Sequence, residues 1–246
     1  VRDIGLAARL RFCATGDRAT VAYHHRELRG TFGMSMLVYE ALEETPLAAV
    51  PFAHVVVPNF IAKPDLARIA ADFPSVPGPG SHPPAALAIK GAFAAMMHEL
   101  ESPRFRQTIE KKFAIDLSGH GFMCTVRGEL RGSDGSVHTD SKSKLITALL
   151  YLNEEWMAAG GRLRLLRSPD SLDDPVVEIP PLGGTLLVFR RSKTSWHGHT
   201  PYAGKRRALQ INWVDDPATA ARELRRHFVS TRIKQLTHRL WPRHSR

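Results

Sequence analysis

His138-Thr139-Asp140 sets an imidazole and a carboxylate two residues apart, and in an extended strand that spacing turns both side chains to one face. A chain with 12 histidines and as many aspartates holds about 0.6 such triplets by chance, so the spacing alone fits a polar surface pair equally well. Context adds to it, because the Gly/Ser-rich turn Gly132 to Ser136 precedes the triplet and the most regular strand pattern of the chain follows. A second cluster lies downstream: Ser195-Trp196-His197-Gly198-His199-Thr200-Pro201, then Gly204-Lys205-Arg206-Arg207, then the alternating run Ala208 to Val214. Two imidazoles and one carboxylate on one side of a metal leave three adjacent positions open, which non-haem Fe(II) needs to hold a cosubstrate beside dioxygen. His197 and His199 share strand parity, so parity does not choose between them. Arg207 shares parity with Leu209, Ile211 and Trp213, so if those residues line the interior its guanidinium points inward too. Arg206 is its rival, since one extra turn residue exchanges the two. An inward arginine requires an anion, and the guanidinium fork suits a carboxylate.

The elements that must position these residues fall into two groups. Ala53-His54-Val55-Val56-Val57 is short and β-branched, and Pro64 to Asp72 carries Pro near its first turn with Leu66, Ile69 and Ala70 in one stripe, which predicts a helix. Gly78 to Pro84 is expected to be an exposed loop. Two further helices are predicted, over Ala85 to Leu100 and Pro103 to Phe113. From Gly121 the period changes to two. Eight strands are predicted: Phe122 to Val126, Ser136 to Asp140, Lys144 to Leu152, Arg162 to Leu166, Val176 to Ile179, Thr185 to Phe189, Ser195 to Thr200 and Arg207 to Val214. Their connections are too short for crossover helices, so the expected fold is α+β, a double-stranded β-helix (jelly roll) of about eight strands with N-terminal supporting helices.

Three segments are expected: a poorly ordered basic leader over 1–33, one catalytic domain over 51–216, and a basic C-terminal helix or tail over 217–246. The 246 residues carry a net charge of +10, but the excess belongs to the ends. Between Met34 and Ala221 there are 20 basic and 20 acidic residues, so the body has no global field to draw in phosphate, and no nucleic-acid partner is expected. The longest charge-free run near the middle, Phe73 to Ile89, is broken by five prolines, which argues against a membrane span. Cys13 and Cys124 make no disulfide framework or paired thiolate site, so a cytoplasmic location is expected. Trp213 is expected in the core, Phe93, Met96 and Met97 in a helix stripe, and His24, His25 and His82 on the surface. Lys142 and Lys144 share the face of His138 and are expected to reach solvent.

Taken in order, these pieces resemble the Fe(II)- and 2-oxoglutarate-dependent dioxygenases, particularly the prolyl 4-hydroxylase-like branch. His138-Thr139-Asp140 is similar to the family's His-x-Asp. Tyr151-Leu152-Asn153 with Trp156 and Gly160-Gly161-Arg162-Leu163 is similar to its Tyr-Leu-Asn…Trp…Gly-Gly-x-Leu segment. Gly183 to Phe189 resembles the strand before the distal histidine, and His197 through Arg207 to Trp213 the closing His…Arg…Trp pattern. The resemblance implies that His138, Asp140 and His197 bind Fe(II), with His197 preferred over His199 by its distance to Pro201 and Arg207. It also implies that Arg207 holds the distal carboxylate of 2-oxoglutarate, and that Tyr151 adds a hydroxyl to it. O2 is then the second cosubstrate and ascorbate the reductant. The expected reaction is hydroxylation of an unactivated carbon in a peptide or small-molecule substrate, with release of succinate and CO2. Asp140 argues against a halogenase, which resembles a hydroxylase lacking that carboxylate. Trp213, where the nucleic-acid demethylases carry a second arginine, argues against that branch. Where relatives often place a tyrosine before the His-x-Asp turn, this chain has Arg127 and Gly128. The alternative from another class is a non-catalytic jelly-roll module with a structural metal. The substrate-facing loops carry no readable specificity code, and nothing in the sequence speaks to oligomeric state.

Overall fold

The computed structural model describes residues 35–240, with side chains through 237; the leader expected over 1–33 and the last six residues lie outside the described residues. The first element is a short helix, α1 (Tyr39–Glu44), which buries Tyr39 and Leu42. Strand β1 (His54–Val57) follows, then α2 (Lys63–Ala71), α3 (Gly91–Leu100) and α4 (Pro103–Phe113). Leu37, Tyr39 and Leu42 belong to the main core, so packed structure begins upstream of Pro51, where the sequence pattern first becomes regular.

The helix expected over Ala85 to Leu100 starts six residues later. Pro84–Ala86 is a single 3-10 turn, and Leu87 and Lys90 are extended. The cause is local. Gly91 has φ +56, and a Cβ there would meet the Asp72 carboxylate, which accepts a 2.7 Å hydrogen bond from the Ala92 amide and ties the end of α2 to the start of α3. Helix α4 spans the residues expected for it, and the structure shows how its ends are set: Ser102 caps it by accepting from the Phe105 amide, Pro103 opens it, and Ala114 closes it in the left-handed region.

The remaining strands are β2 (Gly121–Leu130), β3 (Lys144–Tyr151), β4 (Leu163–Leu166), β5 (Pro175–Ile179), β6 (Leu186–Arg190), β7 (His197–Gly198) and β8 (Gly204–Val214). Five form one antiparallel sheet in the order β1-β6-β3-β8-β2, and three form a smaller one, β5-β4-β7. The fold is α+β, a jelly roll of two sheets with helices over the larger one. The β-branched run at 54–57, left out of the eight expected strands, supplies an edge strand against β6. The strand expected over Ser136 to Asp140 reduces to one antiparallel bridge between His138 and His197.

The two faces of the large sheet meet different layers. Val55 and Val57 of β1, Ile146, Ala148 and Leu150 of β3, Leu186 and Val188 of β6, and Leu209, Ile211 and Trp213 of β8 join Ile69, Phe93, Met96 and Phe105 in one core under the helices. Trp213 lies at its centre, against Phe105 and Phe122. The opposite face turns toward the small sheet, where Tyr151, Leu187, Phe189 and Ala208 meet Leu163, Leu165 and Ile179. Helix α5 (Pro217–Leu240) packs on β2 and on the 78–86 segment, with Lys234 donating to the Pro79 carbonyl and Gln235 to that of Ala86. That segment is less exposed than its composition suggests. His82, expected at the surface, is fully buried between the Gly78 carbonyl and the Thr231 hydroxyl, because α5 covers it.

Candidate metal and cosubstrate site

His138 and His197 stand directly opposite each other, exchanging both backbone hydrogen bonds at 3.0 Å. Residues so paired project their side chains to the same face of the ladder, and here the rings lie 4.4 Å apart. Asp140, two residues beyond His138, shares that face. Each of the three offers a ligand atom within 4.8 Å of the others, and among the described residues they form the one His/Cys/Asp/Glu cluster of this kind. His199 lines the same cavity but stands outside the cluster, its Nδ1 engaged with the Thr200 carbonyl. The register with His138 thus separates the two histidines that parity leaves equivalent.

The residues suit a divalent metal. Nδ1 of His138 faces the Ser136 carbonyl at 2.8 Å and Nδ1 of His197 faces that of Ser195 at 2.9 Å, so each Nδ1–H donates to a backbone oxygen and each Nε2 keeps its lone pair for a metal. Burial foremost, and the positive charge His138 would carry, push the His197 pKa down from 6.5 to about 4, so the ring is neutral at physiological pH. Burial acts to raise the Asp140 pKa, but the Lys144 charge, the His197 charge and hydrogen bonds from Lys144 and Thr147 outweigh it, and the carboxylate is held below its usual range. Lys144 Nζ lies 2.7 Å from Oδ1 and Thr147 Oγ1 2.5 Å from Oδ2, and Asn212 Nδ2 donates in turn to Thr147 at 2.8 Å. Lys144, expected to reach solvent, is instead drawn down onto this buried carboxylate. His138 is exposed while Asp140 and His197 are buried, so the open side of the cluster is the side of His138.

The depressed His197 pKa has a measurable consequence in the metal-free protein. The unfolded chain takes up this proton near 6.5 and the folded one only near 4, so the stability contribution is complete above 6.5 and declines as the pH falls toward 4. The shift corresponds to a change on the order of 3 kcal/mol across that window. Urea unfolding at pH 7 and pH 4.5 is expected to show the decline, and His197→Gln to flatten the part of the slope that this ring supplies.

The cavity that holds the cluster also holds an arginine, but it is Arg206 and not Arg207. Arg206 is buried, its Nε donating to the Gly161 carbonyl at 2.8 Å and its Nη2 to the Tyr151 hydroxyl at 3.3 Å. Arg207 turns to the opposite face, where Nη1 reaches the Ala70 carbonyl and the guanidinium lies 5.0 Å from the Phe73 ring. The expectation that Arg207 faces the site is therefore corrected. Its shared parity with Leu209, Ile211 and Trp213 holds, but those residues form the helix-covered core, and the site lies on the other face of β8, with Arg206, Ala208 and Gln210. A signal for this was present: positions 206, 210 and 212 put Arg, Gln and Asn on one face of β8, while beyond Arg207 the other face carries only Leu209, Ile211 and Trp213. Tyr151 is fully buried, and burial raises its pKa against the pull of Arg206, so the phenol stays protonated. Its oxygen accepts from Arg206 while its proton remains free to donate.

Arg127, which the sequence offers where relatives often place a tyrosine but which is not among the expected site residues, lines the same cavity. It pairs with Ala208 across the β2–β8 ladder, immediately before a register shift, which aims its side chain at the site face. Nη1 donates to Gln210 Oε1 at 3.0 Å.

Residues 125–215 match the model of the 2OG-Fe(II) oxygenase superfamily. In this segment the chain carries a domain of that superfamily of 2-oxoglutarate-dependent oxygenases, a class that takes Fe(II), 2-oxoglutarate and O2. Among solved structures the chain is similar to a prolyl-4-hydroxylase of Pseudomonas putida, at 20% identity over 72% of this chain and 96% of that one, with a TM-score of 0.48. It is also similar to a prolyl hydroxylase from Trichoplax adhaerens in complex with a hypoxia inducible factor peptide fragment, at 17% identity over 75% and 90% of the two chains, TM-score 0.44. A third is the viral collagen prolyl hydroxylase of Paramecium Bursaria Chlorella virus-1, at 15% identity over 65% and 94%, TM-score 0.42. A search of curated proteins finds no match. No described helix is long and apolar enough to cross a membrane.

Proposed function

We propose that the protein hydroxylates an unactivated C–H bond of a peptidyl or small-molecule substrate, with His138, Asp140 and His197 holding Fe(II) and Arg206 with Tyr151 holding the distal carboxylate of 2-oxoglutarate. The observation that carries this reading is the convergence of the three ligand atoms within 4.8 Å on the wall of a cavity that also contains a buried guanidinium free of any described carboxylate. Bound there, Fe(II) supplies oxidative decarboxylation of 2-oxoglutarate to succinate and CO2, coupled to oxygen insertion into the substrate.

The chain's own residues do the positioning. Thr147 and Lys144 fix the Asp140 carboxylate, and the Ser136 and Ser195 carbonyls fix the tautomer of each imidazole, so the three donors are oriented before a metal arrives. Gly161 and Tyr151 hold the Arg206 fork in place, leaving its remaining N–H groups and the Tyr151 proton for a carboxylate. Leu149, Leu163 and Ala208 line the same cavity as the metal cluster and Arg206 and make part of its wall apolar, which restricts water there. Ascorbate is the reductant we expect to sustain turnover.

The test is an anaerobic titration of Fe(II)-loaded protein with 2-oxoglutarate, followed by admission of O2. A visible metal-to-ligand charge-transfer band and succinate release are expected. Tight Zn(II) retention with neither band nor succinate overturns the reading in favour of a non-catalytic metal module.

A further inference from the structure

We propose that Arg127 is a second carboxylate-binding arginine of this cavity, and that it selects a substrate bearing a carboxylate within reach of the metal; the inference rests on the cosubstrate reading given above. Arg127 and Arg206 share one pocket wall, and among the described residues neither has a carboxylate within ion-pair distance. Arg127 Nε is buried with no hydrogen-bond partner at all. A buried, unpaired guanidinium edge beside a second guanidinium is costly in the empty protein, and the cost is removed when an anion takes the free N–H groups. Burial and then the neighbouring Arg206 charge both press on the protonated form, which marks the two cations as facing the same space.

A charge count separates the two possible anions. The cavity and its rim hold Arg127, Arg206 and Lys144 against Asp134 and Asp140. Two positive charges from a metal and two negative from 2-oxoglutarate cancel, since Arg206 takes one cosubstrate carboxylate and the metal the other. One net positive charge remains, and Arg127 is the cavity cation that neither Asp140 nor the cosubstrate pairs with. Asp134 acts on Arg127 only from beyond ion-pair distance, its carboxylate accepting from the Arg131 amide at 2.9 Å. Arg127 lies on β2, at the edge of the large sheet, in the same cavity as the exposed His138 that marks the open side of the cluster. An incoming substrate thus passes the cation that the cosubstrate leaves unpaired.

The experiment uses the full chain loaded with Zn(II) and N-oxalylglycine, titrated calorimetrically with acetate, succinate and twenty N-acetyl amino acids beside their amides. At least one acid is expected to bind at least about tenfold more tightly than its amide, and Arg127→Met to lose that preference while keeping N-oxalylglycine affinity within about twofold. A second readout needs no metal: unliganded Arg127→Met is expected to melt at or above the wild type, because it removes an unpaired buried charge, whereas a merely structural arginine would leave the variant less stable. Equal binding of acids and amides overturns the proposal. So does a tenfold loss of N-oxalylglycine affinity in Arg127→Met, which would assign the residue to the cosubstrate. Failure of the wild type to bind Fe(II) and 2-oxoglutarate overturns the cosubstrate reading and this inference together; a normal charge-transfer band without acid preference overturns this inference alone.

Discussion

Arg206→Ala is expected to weaken 2-oxoglutarate binding by about a hundredfold or more, while Arg207→Ala leaves it within about threefold. Removing one partner of a buried, hydrogen-bonded charge pair costs about 2–5 kcal/mol, and every 1.4 kcal/mol is a factor of ten in affinity. Arg206 sits in that situation, buried in the cavity wall with Gly161 and Tyr151 fixing its orientation. Arg207 spends its guanidinium on the Ala70 carbonyl and the face of Phe73, on the far side of the sheet, so its loss is expected to lower stability and spare the cosubstrate. The measurement is the anaerobic charge-transfer titration of each variant. Arg206→Lys keeps the charge but not the fork and should fall between the two. Equal loss in Arg206→Ala and Arg207→Ala, or loss only in Arg207→Ala, would return the cosubstrate role to Arg207.

His197→Ala is expected to abolish the charge-transfer band and lower 2-oxoglutarate turnover by more than about a hundredfold, because losses of outer residues that merely orient a metal ligand already cost up to about that much. His197 is also the ligand whose register with His138 assembles the cluster. His138→Ala should behave likewise, with less effect on folding, since His138 is exposed and His197 buried. Asp140→Ala differs in kind. It leaves Lys144 and Thr147 without their shared acceptor, so a half-buried ammonium loses its counter-ion and the buried Thr147 hydroxyl its partner, and the melting temperature should drop along with metal affinity. Metal content after desalting, the charge-transfer band and thermal unfolding, read together, separate these cases. Retention of iron and of the band in His197→Ala would remove that histidine from the ligand set.

Much of this was legible in the amino-acid order. The change from helical period to period two at Gly121, the turn residues between short apolar runs, and the helical apolar spacing over Pro103 to Phe113 carried the α+β layout, because they act through local backbone preference and side-chain alternation. His-x-Asp spacing pointed to a metal, since two residues of the same parity share a face whatever surrounds them. The misreading of Arg207 has one origin. Parity says which side chains point together, but not which layer each face meets. On β8 both faces are buried, Leu209, Ile211 and Trp213 under the helices and Arg206, Ala208 and Gln210 in the jelly-roll interior. Only the packing of the helices on one side decided that the polar face was the chemical one. Lys144 and His82 depart from the surface for a different reason: particular partners, the Asp140 carboxylate and the Thr231 hydroxyl of α5, draw them in, and strand parity names neither.

By itself, then, the order of residues determined which donors exist, on which strands they ride and which of them face together, all consequences of covalent geometry and short-range sterics. Tertiary structure alone decided that His138 meets His197, that Arg206 and not Arg207 enters the cavity, and that Arg127 joins it with a bare Nε. Those outcomes depend on the register between strands distant in sequence and on which sheet face the helices cover, and no local propensity encodes either.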